Sequence, residues 1–144
     1  SQSSVARHRA IRRTAAWVAC LVFVGCQEKL PVAPSELTSG IVVYEHADYL
    51  GASAHVTTDV TNLEDFKGPC WKGDGSGGII EVWGDCISSI RLAPGWRATI
   101  YEDDSFRGQQ LTLTADAPNL AHSPGLCDEG GFNDCVSSIR LIRP

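Results

Sequence analysis

The sequence lacks the patterns that mark helical proteins, enzymes and nucleic-acid-binding proteins. No window carries an apolar period of 3.6 residues long enough for a helix. There is no nucleophile elbow, phosphate loop or metalloprotease motif, so we expect no enzymatic activity. No C-x2-C pair or histidine pair accompanies the cysteines, which argues against zinc. Zinc-dependent and catalytic classes are therefore set aside.

Basic residues are also scarce outside the N-terminal stretch. Four of the 12 basic residues lie within residues 1–25, which leaves eight against 17 acidic ones and a net charge of −9 for the rest. Binding to nucleic acid phosphates needs clustered Lys and Arg. We therefore expect no nucleic acid partner, whereas cations are compatible with this charge.

Residues 1–25 have the composition of a secretory signal. Four arginines and no acid precede an apolar run of about 12 residues, which is shorter than the roughly 20 that a transmembrane helix needs. The run ends in Phe23-Val24-Gly25-Cys26, which resembles the bacterial lipobox. That resemblance implies a lipid anchor on Cys26, and Gln27 resembles the outer-membrane sorting pattern. We expect an exported protein on the outer membrane or cell surface that contacts the membrane only through its lipid.

Residues 26–40 follow as the predicted lipidated cysteine and linker. Pro31, Pro34, Ser35, Ser39 and Gly40 stand among few apolar residues there, a composition that does not build a core and suits a tether. The remaining residues, 41–144, have the length of one small domain.

Residues 41–144 are predicted to be all-β. Short β-branched or alternating runs are separated by Gly, Pro, Asp and Asn, at 41–44, 53–58, 79–83, 98–101, 110–114 and 136–142. Several short strands at this spacing indicate a sandwich or a barrel.

The domain contains an internal duplication. Residues 85–92 (DCISSIRL) recur as residues 134–141 (DCVSSIRL) with one conservative change. Upstream, positions 57 residues apart match, so that Tyr44-Glu45 aligns with Tyr101-Glu102 and Cys70 with Cys127. Repeat one spans 41–93 and repeat two spans 96–144. The first carries an insertion of eight residues, and we predict a loop over its Gly-rich residues 71–78.

Each repeat contains a segment that resembles a known hairpin signature. Residues 44–51 (YEHADYLG) and 101–108 (YEDDSFRG) resemble the signature of βγ-crystallin Greek keys. The resemblance implies two Greek-key motifs that form a βγ-crystallin-like two-sheet sandwich. The signature also has a physical basis, because Gly51 and Gly108 allow positive φ at a bend. We expect the two aromatics of each copy to pack across that bend and a later serine to bond its backbone groups.

Residues 133–138 (NDCVSS) resemble the calcium motif of microbial βγ-crystallins at every position. Calcium takes about six to eight oxygen ligands, and one loop supplies too few. The resemblance implies that the Tyr-Glu hairpin of one Greek key completes the loop of the other, and the sequence leaves their pairing open. The predicted calcium ligands are Asn133, Asp134, Cys135 and Ser137 in the second copy, Gly84, Asp85, Cys86 and Ser88 in the first, and Glu45 and Glu102 from the hairpins.

The first copy departs from this motif, since Gly84 replaces the leading Asn or Asp. We therefore predict a weaker site there. Asn-Asp and Gly-Asp are also ordinary turn formers, so the alternative is a pair of turns without metal.

Four cysteines remain after Cys20 leaves with the signal and Cys26 takes the lipid. An even number in an exported protein predicts disulfides. The repeats leave two patterns open, either within or between repeats. We favour pairing within repeats, which would clamp the segment that leads into each Asp-Cys-x-Ser-Ser loop; the four residues are Cys70, Cys86, Cys127 and Cys135.

Two functions fit these features. The first is a calcium-binding structural or stress-related module tethered to the envelope. The alternative is a protease-inhibitor or recognition module of the same fold, with a protein partner at residues 71–83, a Gly-rich stretch that Trp71 and Trp83 flank. We expect a monomer in either case.

Overall fold

A computed structural model describes residues 36–125, 127 and 131–144 of the chain. The predicted signal and the predicted lipid site at Cys26 lie outside the described residues. None of the helices in the described part is long and apolar enough to cross a membrane.

The described chain forms short antiparallel strands and three-residue 3₁₀ turns. One sheet has the order β2-β1-β5, a second has the order β7-β6-β8, and β3 pairs only with β4. The strands are β1 Ile41–His46, β2 Leu50–Val56, β3 Cys70–Gly73, β4 Ile79–Val82, β5 Ser89–Leu92, β6 Arg97–Asp103, β7 Arg107–Leu113 and β8 Ser138–Ile142.

Each three-stranded sheet is extended by a residue from the other repeat. Val60, which follows β2, exchanges two backbone hydrogen bonds with Ile139 of β8, at 2.8 and 2.9 Å. Ala117, which follows β7, does the same with Ile90 of β5. The chain thus crosses from one sheet to the other after each hairpin, which is Greek-key connectivity. The predicted all-β fold with two Greek keys is confirmed.

The core lies between the two sheets. Alternate residues of β1, such as Ile41 and Val43, are fully buried, as are Ile100 of β6 and Ile139 of β8. Successive side chains of a strand point to opposite faces, so this alternation places one apolar face of each sheet inside. Further fully buried side chains come from the connections, namely Val60, Leu63, Ile87, Leu120, Phe132 and Val136.

The two Tyr-Glu hairpins fold over as the sequence predicted. The rings of Tyr44 and Tyr49 lie 5.6 Å apart, and those of Tyr101 and Phe106 lie at the same distance. Gly51 has φ of +78° and Gly108 has φ of +74°. The bends also place four other residues at positive φ, which the sequence did not indicate: Asp48, Tyr49, Ser105 and Phe106.

A buried serine on a later strand holds each bend. The Ser138 hydroxyl donates to the Asp103 carbonyl (2.6 Å) and accepts from the Phe106 N–H (3.1 Å). Ser89 makes the same two bonds to His46 and Tyr49. Both bends need this help because their backbone leaves the regular ladder. The predicted role of a later serine is confirmed, and the second serine of each Ser-Ser pair carries it.

The predicted loop over residues 71–78 is wrong in its first half. Residues 70–73 form β3, which pairs with β4 in the register Cys70 to Val82 and Gly73 to Ile79. Only residues 74–78 form a turn, where one oxygen of Asp74 accepts hydrogen bonds from the N–H groups of Ser76 and Gly78, each at 2.8 Å. The glycines suggested a loop throughout, but they serve this turn, and the neighbouring β4 supplies the partner that makes residues 70–73 a strand.

Disulfides link cysteines within each repeat. Cys70 bonds to Cys86 with a Cα–Cα distance of 5.9 Å, and Cys127 bonds to Cys135 at 6.3 Å. This is the pattern that the sequence analysis favoured. The first bond closes a segment of 16 residues and the second one of 8.

Replacing Ser138 with Ala should destabilise the domain by about 1–3 kcal/mol, because the Asp103 carbonyl and the Phe106 N–H lose their partner at a fully buried position. Urea unfolding measures this change. Ser53→Ala, an exposed position on β2, is the matched control and should stay within about 0.5 kcal/mol of the parent. Equal stability of Ser138→Ala and Ser53→Ala would contradict the assigned role.

Removing the Cys70–Cys86 disulfide by double Ala substitution should lower the free energy of unfolding by about 3 kcal/mol. Removing Cys127–Cys135 should lower it by about 2.5 kcal/mol, because a shorter closed segment restricts the unfolded chain less. Denaturant unfolding of both double variants tests the order. A larger loss from the shorter loop would show that native packing, rather than chain entropy, dominates.

Candidate metal centre

Two short loops precede β5 and β8 and meet across the molecule. We call residues 84–88 the first aspartate loop and residues 133–137 the second. The Asp85 N–H donates to the Val136 carbonyl, and the Asp134 N–H donates to the Ile87 carbonyl, each at 3.2 Å. Ile87 and Val136 are fully buried. The loops are therefore held face to face by a reciprocal pair of bonds.

Both aspartates have the same unusual backbone conformation. Asp85 and Asp134 each have φ of +52°. Aspartate tolerates this left-handed region better than most residues. The side chains of both are exposed to solvent, while the backbone of each loop is anchored in the core. The carboxylates are thus presented at the surface from a fixed base.

The hydroxyl that reaches each aspartate comes from the other loop. Ser88 of the first loop lies 3.1 Å from Oδ1 of Asp134, and Ser137 of the second loop lies 3.3 Å from Oδ1 of Asp85. The motif spacing suggested that a loop would use its own aspartate and serine together. The structure instead exchanges them, because the reciprocal backbone bonds set each serine beside the opposite aspartate.

Ser88 brings three oxygens together at the second loop. Its Oγ lies 2.7 Å from the Glu45 carbonyl oxygen and 3.1 Å from Asp134 Oδ1. A hydroxyl has one proton and can donate to only one of these acceptors at a time. The remaining close pair of oxygens is favourable only when a cation or another donor joins it. Asn133 lies beside them, with its Nδ2 2.6 Å from Asp134 Oδ2.

The two predicted glutamates do not bring their carboxylates to the loops. Glu45 Oε2 accepts from the Ala52 N–H at 3.1 Å, and Glu102 Oε2 accepts from the Gln109 N–H at 3.3 Å. Each carboxylate therefore closes its own hairpin. Glu45 contributes to the loop region through its carbonyl, and the structure thereby places the Glu45 hairpin with Ser88 and Asp134.

Cys86 and Cys135 lie inside the loops but their sulfurs are in disulfides. Only their carbonyl oxygens remain as possible ligands, and that role stays a prediction. Gly84 has no side chain to offer. Among the described residues there is no group of three or more His, Cys, Asp or Glu side chains placed to hold a metal, so a cation here would depend on hydroxyl and carbonyl oxygens as well.

The first loop has a different environment. Asp85 Oδ2 lies 3.2 Å from Nζ of Lys72, a residue of β3, and the same ammonium donates to Glu64. The hydrogen bond to Glu64 raises the pKa of Lys72 above its ordinary value, partial burial acts the other way, and the bond to Asp85 adds to the rise. The amine therefore stays charged.

The sequence analysis did not identify Glu64 and Lys72 as residues of the first aspartate loop's surroundings. A signal for Glu64 existed, since the 57-residue offset aligns it with Ala121, so the two loops differ there as well as at Gly84. Lys72 lies in the eight-residue insertion and has no aligned counterpart. Its approach to Asp85 depends on the β3–β4 pairing, which the sequence analysis did not predict.

The donors at the second loop fit a hard divalent cation. Carboxylate, hydroxyl, amide and carbonyl oxygens are the ligands of calcium, whereas zinc prefers nitrogen and sulfur. Asn133, Asp134, Ser88 and the Glu45 carbonyl are the groups that would hold such an ion.

Known proteins resemble this chain in sequence and in fold, although no family model matches it. Development-specific protein S of Myxococcus xanthus is 39% identical over 56 residues, which is 39% of this chain and 27% of that protein. The chain thus spans about a quarter of this relative.

Solved structures also resemble this chain in fold. The N-terminal domain of protein S is 27% identical with a TM-score of 0.52, over 73% of this chain and 97% of that one. A structure from work on the eye lens βγ-crystallin domain fold is 21% identical with a TM-score of 0.56, over 78% and 94%; it supports the fold alone. Together with the doubled hairpin signature and the interlocked Greek keys, these similarities show that the described domain has the βγ-crystallin fold.

Proposed function

We propose that the protein is a non-catalytic calcium-binding module of the bacterial envelope, with its ion at the second aspartate loop. The observation that carries this proposal is the position of Ser88, whose hydroxyl oxygen lies within 2.7 Å of a carbonyl oxygen and 3.1 Å of a carboxylate oxygen. Three hard oxygens converge there from both repeats, and Asn133 adds a fourth polar side chain.

The exchange between repeats gives the ion a structural role. The groups that would hold it come from β1, from the first loop and from the second loop, so the ion ties the two Greek keys together. A ligand that binds only the folded state stabilises it by mass action, by about 2.7 kcal/mol at 100 times its Kd. Calcium therefore acts as a cross-link that forms only after folding.

The proposal also includes a lipid tether that links the domain to the membrane. The lipobox-like residues 23–26 favour a lipid on Cys26, and the polar stretch that follows favours a spacer between membrane and domain. A module at the cell surface meets external calcium, and its stability would rise with the concentration of that ion. A structural or stress-related role in the envelope agrees with this response.

Protein recognition is a second candidate function, and the β3–β4 hairpin favours it. Trp71 is 74% exposed and Ile79 is 70% exposed, and strand alternation places both side chains on the same face of the hairpin. Adjacent exposed apolar side chains are a feature of protein interaction surfaces. A protease or another protein partner would dock on this side of the hairpin.

Calcium at millimolar concentration should raise the melting temperature of the full chain by about 10–20 °C if it reaches 100 times the Kd. Asp134→Ala should abolish most of that shift, while Asp85→Ala should retain most of it, because the second loop has the complete set of oxygens. Differential scanning calorimetry with and without chelator measures the shift. No shift in the parent protein, or equal losses in the two variants, would contradict the proposal.

Substitution of Ser88 and of Ser137 tests whether each serine acts with the aspartate of the other loop. Ser88→Ala removes the hydroxyl beside Asp134 and should weaken calcium binding by at least about tenfold, corresponding to roughly 1.4 kcal/mol. Ser137→Ala, its counterpart beside Asp85, should change calcium affinity little. Isothermal titration measures both. If Ser137→Ala were the damaging variant, the aspartate and serine of a single loop would act together, and the exchanged arrangement would not describe the site.

For the second candidate, Trp71→Ala should abolish inhibition of any metalloproteinase that the parent protein inhibits, without changing the calcium response. The reason is that Trp71 is the most exposed large apolar side chain among the described residues, and strand alternation places it on the face of the hairpin opposite Lys72. A panel of proteases assayed with both proteins tests this. Failure to inhibit any of them would leave the recognition function without support.

A further inference from the structure

The first aspartate loop differs from the second in a coordinated way. Gly84 stands where the second loop has Asn133, and Glu64 stands where the second repeat has Ala121. A Cβ added at Gly84 would lie 2.9 Å from Cγ of Glu64, which is too close for an unmoved side chain. The Glu64 side chain thus occupies space that an asparagine at position 84 would need.

Because Gly84 has no side chain, Glu64 fits beside it and binds the ammonium group of Lys72. The Lys72 ammonium donates to Glu64 and lies 3.2 Å from Oδ2 of Asp85. The other oxygen of Asp85 accepts from Ser137. Both oxygens of the loop carboxylate are therefore already bound, one to a positive charge and the other to a hydroxyl.

A disulfide directs Lys72 to this place. Cys70 and Cys86 are joined with their Cα atoms 5.9 Å apart, so that Lys72, two residues after the first cysteine, comes beside Asp85, one residue before the second. The pairing of Lys72 with Ile80 in the β3–β4 hairpin fixes the backbone of the lysine. The pairing of β3 with β4 and the Cys70–Cys86 disulfide therefore hold the Lys72 ammonium beside Asp85.

Among residues 36–125, 127 and 131–144, the ion pairs to the aspartate loops are confined to Asp85. Lys72 and Asp85 are about half-exposed, with side-chain exposures of 39% and 45%. At the second loop, the described partners of Asp134 are Ser88 and Asn133. The asymmetry between the two loops therefore includes the charge next to each carboxylate.

From this geometry we infer that Lys72 is the resident cation of the first aspartate loop and determines which loop takes calcium. Calcium at the first loop would have to displace the ammonium or bind beside it, where two positive charges repel each other. The second loop offers its oxygens without that competitor. This inference rests on the proposed calcium function, and it predicts a single calcium site in a domain with two aspartate loops.

The inference also predicts that a site appears when the lysine is removed. Without Lys72, the first loop would present Asp85, Glu64 and the Ser137 hydroxyl, with one more carboxylate than the second loop. The repulsion that is lost corresponds to a gain in calcium affinity on the order of tenfold or more at this loop. If the pair between Lys72 and Asp85 had no effect on calcium, removal of Lys72 would create no new calcium site.

Calorimetric titration of the full chain with calcium chloride tests this with four proteins. The parent protein should bind one ion, Lys72→Met should bind two, and Lys72→Met with Asp85→Ala should return to one. Lys67→Met is the matched control, because it removes the same charge from an exposed pair with Glu81 (3.6 Å), and it should bind one ion. Lys72→Gln, which removes the charge and keeps a hydrogen-bonding group, serves if the Met variant folds poorly.

The outcomes separate this inference from the proposed function. One ion in both the parent and Lys72→Met, or two ions in the parent, would overturn the inference and leave the calcium function standing. No ion in the parent and one in Lys72→Met would support the inference while contradicting calcium at the second loop. No ion in either would overturn both. As a second measurement, Lys72→Met should melt lower than the parent in chelator and gain more from calcium.

Discussion

The reciprocal bonds between the two aspartate loops are the constraint on which the rest of this structure depends. Asp85 bonds to Val136 and Asp134 to Ile87 through the backbone, and the buried side chains of Ile87 and Val136 fix both loops in the core. This arrangement sets each aspartate beside the serine of the other repeat. A single Greek key has only one such loop, and its aspartate and serine would both lack the partners that the other repeat supplies. The duplication is therefore a physical requirement for bringing oxygens from two sources to one place.

Fold and site share the same short segments, yet individual atoms have separate roles. In each Ser-Ser pair the second serine is buried and bonds the backbone of a folded hairpin, as Ser89 and Ser138 do. The first serine, Ser88 or Ser137, faces an aspartate. Each pair lies where an aspartate loop ends and a strand begins, so one dipeptide holds the bend with one hydroxyl and serves the loop with the other. Stability and ion binding are consequently coupled through neighbouring residues.

The insertion in the first repeat changes one loop without disturbing the shared framework. It lengthens the segment closed by a disulfide from 8 to 16 residues, and the added residues supply most of β3 and the turn that leads to β4. One face of that hairpin carries Lys72 to Asp85, while Trp71 on the other face is exposed. The same framework thus presents a loop paired to an internal ammonium and a loop with open oxygens. Two nearly identical sequence motifs acquire different electrostatic surroundings in this way.

The sequence by itself determined the features that depend on local pattern and on repetition. The alternating strands, the glycines and aromatics of the hairpins and the repeated loops follow from residue order, so the all-β class was predictable, and the two Greek keys followed from the resemblance to βγ-crystallins. Only the tertiary structure decided which serine meets which aspartate, that Glu45 acts through its carbonyl, and that Lys72 lies at the first loop. Those contacts join residues 13 to 52 positions apart. They depend on how the repeats interlock and how the inserted strand pairs, and no local periodicity in the sequence encodes either of these.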